Sequence, residues 1–140
     1  MGLVHDVFGK AMGRWRTSGH VLDAAGEPVA DITGSDVYED GPGGNWIVHH
    51  VDVSIGGEPV RTLELIGEGD HGVLLRAFEA TGELHTSTAH RLADGSIRID
   101  GGDSRATFRI APGRASGSAL WERRSGRDWV RWMDLRFERE

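Results

Sequence analysis

Cysteine is absent from this 140-residue chain, so no disulfide framework, thiolate metal site or cysteine nucleophile is available. Lysine is nearly absent: Lys10 stands alone against fifteen arginines, which leaves little room for Schiff-base chemistry. No window holds the roughly 18 consecutive apolar residues that a membrane-spanning helix needs. The opening residues, Met1-Gly2-Leu3-Val4-His5-Asp6-Val7, place His and Asp where a secretory leader has a basic end followed by an apolar block. A cytoplasmic setting is therefore expected. Positive charge is also scarce, with Lys+Arg 16 against Asp+Glu 22 and a formal net charge of −6. The arginine excess is confined to residues 105–140, which carry nine arginines against five carboxylates. A nucleic-acid surface needs a broader basic field with aromatic platforms, so none is expected.

Catalytic signatures are missing too. No Gly-x-Ser-x-Gly elbow occurs. The glycine runs Gly41-Pro42-Gly43-Gly44 and Gly101-Gly102 are not followed by a helix pattern that would present its N-terminus to phosphate. The seven histidines show no His-x-His or His-x-x-x-His spacing of the kind a metal site uses, and no metal is expected.

What the chain has in quantity is glycine, 21 residues, set at turns about every ten positions. Residues 3–12 form the single helical pattern: Leu3, Val4, Val7, Phe8 and Met12 recur at three- and four-residue steps, and Gly13 is placed to cap it. Beyond Trp15 the period drops to two. Strands are expected at about 14–22, 28–38, 45–55, 59–67, 72–80, 84–91, 96–100, 104–110, 115–123 and 128–138. Ala93-Asp94-Gly95-Ser96 is the clearest two-residue hairpin signal. Short connections favour pairing of sequential neighbours, and closing the sheet removes its exposed edges. The expected fold is all-β: one domain over 1–140, a ten-stranded antiparallel up-and-down barrel with one short N-terminal helix. Ten strands enclose more space than eight, and mixed-polarity strands such as Leu84–His90 suit a wet lumen.

Gly13-Arg14-Trp15, after a helix and opening the first strand, resembles the Gly-x-Trp element of lipocalins and other calycins. The resemblance implies that Trp15 plugs the barrel base, with a late arginine, Arg131 or Arg136, packed across it. Gly44-Asn45-Trp46-Ile47 through Gly56-Gly57-Glu58-Pro59, Thr62-Leu63-Glu64-Leu65-Ile66-Gly67 and Phe78-Glu79-Ala80-Thr81-Gly82 are similar to a bacterial lipocalin-like family of unknown function. More distantly, the chain is similar to fatty-acid-binding-protein-like and nitrobindin-like barrels. The nitrobindin-like start, Gly-x-Trp-x-Gly-x-Gly, is only partly matched by Gly13-Arg14-Trp15-Arg16-Thr17-Ser18-Gly19.

Candidate site residues follow from these patterns. His50 and Asp52 share a strand face, with His49 opposite, and are the candidate acid–base pair; the bland reading of the pair is a solvated face. Tyr38, Trp46, His50, Arg76, His85, Trp121 and Arg131 are the candidate ligand contacts. Trp129 and Trp132 differ by three, so at most one faces inward. Glu64, Arg76, Arg131 and Asp134 can be buried only if paired. Three functional readings remain. The first is binding of a small, largely apolar or amphipathic molecule in the lumen. The second is a cyclase- or isomerase-type enzyme in the same lumen, with His50 or His85 as acid or base. The third is haem bound by a lumen histidine, the one cofactor considered. No membrane partner is expected, and a homodimer is left open.

Overall fold

From Gly13 onward the alternating pattern becomes ten strands. The computed structural model describes residues 2–140. A short helix, α1 (Leu3–Phe8), precedes β1 (Gly13–Leu22), β2 (Pro28–Asp40), β3 (Ile47–Ile55), β4 (Glu58–Gly69) and β5 (Gly72–Glu79). The remaining strands are β6 (Leu84–Arg91), β7 (Ile97–Asp100), β8 (Ser104–Ile110), β9 (Ser116–Ser125) and β10 (Asp128–Arg139). Each pairs antiparallel with the next, and β1 pairs with β10 from Trp15↔Arg139 to Val21↔Met133, closing the barrel. The expected fold is the observed one.

The helix is shorter than the apolar spacing over 3–12 predicts. It ends at Phe8, with Gly9 as C-cap, and a 3-10 turn over Gly9–Ala11 completes the segment. Tightening the last turn this way is common where a helix must hand over abruptly. Gly13 is therefore not the cap but the first residue of β1.

This helical segment seals one end of the barrel. Val4, Phe8 and Ala11 are buried with Trp15, Ile47, Ile66, Val73 and Leu75 in one apolar cluster. The Trp15 indole N–H donates to the Ala11 carbonyl at 2.7 Å, so the buried indole leaves no polar atom unmatched. The arginine across Trp15 is Arg139, 4.1 Å from the ring centroid, rather than Arg131 or Arg136. Arg139 is the register partner of Trp15, and its guanidinium also donates to the carbonyls of Met12, Lys10 and Arg114. Arg131 and Arg136 are exposed on the outside.

Two inward glycines let β1 and β2 curve sharply. A Cβ at Gly34 would lie 2.2 Å from the Asp52 carbonyl oxygen, and one at Gly19 would lie 2.0 Å from that of Asp134. No side chain fits there, so the neighbouring backbones approach where a closing sheet needs them.

Candidate functional site

Strand parity decides what faces the lumen. On β3 the inward set is Ile47, His49, Val51, Val53 and Ile55; on β4 it is Val60, Thr62, Glu64 and Ile66. The middle of the barrel is not filled by these side chains. It holds a cavity of about 560 Å³ that begins above the Trp15 plug and reaches solvent past Leu84 and His85.

The cavity has two unlike walls. Strands β7 to β10 contribute Ile99, Ala106, Phe108, Ala119, Trp121, Leu135 and Phe137, an almost wholly apolar surface. Strands β1 to β5 are mixed: they contribute all the carboxylates and most of the other polar groups, Thr17, Asp36, Tyr38, His49, Thr62, Glu64 and Glu79, set among the apolar Ile32, Val51, Val53, Ile55, Val60 and Ala77. The aromatic rings interlock across the base of the cavity. Phe108 meets Phe137 edge-on at 5.4 Å, and Tyr38 lies parallel to Phe108 at 6.4 Å.

His49 is the centre of the polar wall. Its Nε2–H donates to Asp36 Oδ1 at 2.7 Å and its Nδ1–H to Glu64 Oε1 at 2.9 Å. Thr17 donates its hydroxyl to the other Asp36 oxygen, and Tyr38 stacks flat on the imidazole at 3.9 Å. Burial pulls the His49 pKa down. Hydrogen bonds to Asp36 and Glu64, with their charges, outweigh that effect and lift it to about 9. The ring is thus an imidazolium at neutral pH, with both N–H groups committed. Burial, and then the charges of Asp36 and Glu64, push the Tyr38 hydroxyl well above its ordinary value, so it stays protonated. Further toward the mouth Thr62 donates to Glu79 at 2.6 Å.

The structure separates the residues that sequence reasoning grouped. His50 and Asp52 do share a face, but it is the outer one: His50 lies 2.9 Å from Glu39, and Asp52 lies 4.0 Å from Arg61. Neither reaches a molecule in the lumen. The contrary signal was present, since Ile47, Val51, Val53 and Ile55 all take the parity of His49. Arg76 and Arg131 also point outward and are exposed, as charged groups without an inward partner must; Arg131 faces Asp134 at 3.9 Å. Trp46 precedes β3 and so escapes the alternation. Its indole lies across Gly67 at the sealed end, where a Cβ would meet the ring at 2.4 Å, and it lines a separate cavity of about 220 Å³. Tyr38 and Trp121 line the lumen, and His85 stands at its mouth. Trp132 lines the lumen as well, because the β9–β10 register shifts between Arg131 and Met133. Trp129 lies outside between Arg105 and Arg124, at 4.3 and 4.8 Å.

Among the described residues no group of three or more His, Cys, Asp or Glu is placed to hold a metal ion. For haem, the buried His49 offers no free nitrogen, since both face carboxylates, and the lining offers no arginine or lysine as a cationic partner for the propionates. No helix among the described residues is long and apolar enough to cross a membrane.

No protein-family model matches the chain, and no curated protein matches it. Among solved structures, one described as a de novo design of a fluorescence-activating beta barrel aligns over 100% of both chains. It shares 13% identity with this chain, at a TM-score of 0.49.

Proposed function

We propose that this barrel binds one small, largely apolar molecule in its lumen, in the manner of a lipocalin-like carrier. The observation that carries this reading is the cavity of about 560 Å³ left open between a sealed base and an accessible mouth. That volume lies within the range of small-molecule sites, and an apolar surface interrupted by a few convergent polar groups is their usual lining. The apolar wall supplies affinity by burial, at roughly 25 cal/mol per Å² removed from water. The polar wall sets orientation.

A titration with the apolar fluorophore N-phenyl-1-naphthylamine tests it. Saturable, blue-shifted emission is expected. Ala119→Trp, which fills the lumen, should weaken binding by about tenfold or more, while Leu63→Ser on the outer wall leaves it unchanged. Binding that ignores Ala119→Trp would place the probe on the outside and overturn the reading.

A further inference from the structure

The charges in the lumen do not balance. The lining includes three carboxylates, Asp36, Glu64 and Glu79, one imidazolium, His49, a second histidine, His85, at the exposed mouth, and no arginine or lysine. In a cavity partly screened from water an unmatched negative charge is costly, and a cation that enters to match it is correspondingly stabilised. Glu64 and Glu79 are diagonal neighbours on β4 and β5, since Glu64 pairs with Ala77 and Thr62 with Glu79. That spacing lets two long side chains converge on one group. Glu64 spends one oxygen on His49, and Glu79 spends one on Thr62.

An independent observation comes from Tyr38, the only tyrosine. It is 7% exposed and lines the cavity. Asp36 and Glu64 act on its hydroxyl through charge rather than through a hydrogen bond, and no described residue hydrogen-bonds it. A hydroxyl that opens onto a cavity without a protein partner is a group that a ligand can satisfy. The opposite wall, with Phe108 and Trp121, is almost wholly apolar and carries no charged group.

We infer that the lumen takes a cationic amphiphile, an apolar body ending in a protonated amine, with the ammonium directed at Glu64 and Glu79 and the body against β8 to β10. This rests on the lumen-binding reading and specifies the chemistry of its ligand. A carboxylate-headed molecule of the same shape is disfavoured at Glu64 and Glu79, because it meets two carboxylates there and the lining has no arginine or lysine to offset them.

Calorimetric titration with octylammonium, octanol and octanoate tests the inference at neutral pH. Octylammonium should bind about tenfold or more tighter than either of the others, as expected when a charge-assisted pair replaces a neutral contact. Glu79→Gln, which leaves His49 untouched, and Glu64→Gln should each remove most of that preference without changing octanol binding. Asp52→Asn, on the outer wall, should leave it intact and so exclude a general attraction of the acidic protein for cations. Equal binding of all three probes, or a preference that survives both lumen variants, overturns the inference while lumen binding stands. Failure of all three to bind removes the lumen-binding reading and the inference with it.

Discussion

His49 is the residue on which the interior charge depends. It is 8% exposed and sits between two carboxylates, so its protonated form is favoured in the folded state relative to the unfolded chain. Its pKa is about 9 when folded, against 6.5 for a free imidazole. The stabilisation is therefore complete below about pH 6.5 and is lost as pH rises through 9. Urea denaturation from pH 6 to pH 10 should show stability falling by up to about 3 kcal/mol on the alkaline side. His49→Gln should flatten that slope. It should also cost about 3 kcal/mol or more at neutral pH, because Asp36 and Glu64 lose the cation between them. A flat profile in the parent protein would mean that the ring is neutral. Choosing His49 over His50 required only parity: His49 alternates with Ile47, Val51 and Val53, whereas His50 alternates with Val48, Asp52 and Ser54. A His-x-Asp pair looks chemical, but histidines and carboxylates also pair on solvated faces, as His50 does with Glu39.

At the scale of elements, glycine made the strands legible. Turns at Gly26, Gly57, Gly82, Gly95 and Gly126 all have positive φ, which few other residues tolerate, and the expected strand ends fall within about two residues of those observed. What could not be read depends on pairing. The shift between Arg131 and Met133 resets the parity of β10 and turns Trp132 inward; a bulge is defined by its partner strand, which periodicity does not contain. Arg139 over Trp15 is likewise a matter of register between the first and last strands. The plug itself yields a firm expectation. Trp15→Ala should destabilise by about 3–5 kcal/mol, and Arg139→Ala by about 1–3 kcal/mol, through the orphaned carbonyls of Met12 and Lys10. A loss below about 1 kcal/mol for Trp15→Ala in thermal or urea unfolding would contradict the burial described. Gly34→Val should be worse tolerated than a substitution at Gly57, where a Cβ meets nothing within 4 Å.

At the scale of the whole molecule, ten strands closing on themselves with one end stoppered leave space that the chain's own side chains do not fill. The composition foretold this only indirectly. Strands such as Leu84–His90 carry polar residues on both faces, and a solid core would have demanded one clean apolar face. Which wall would be acidic and which aromatic emerges only when β2 to β5 are brought opposite β7 to β10 by closure of the barrel. The division gives the lumen its polarity and any occupant its orientation. Anomalous diffraction from crystals soaked with 8-bromooctylammonium tests the hollow and its orientation together. A bromine peak is expected inside the barrel near Phe108 and Trp121, with the ammonium toward β4 and β5. Bromine found only on the outer surface, around Leu63 and Phe78, with an empty lumen, would contradict the account.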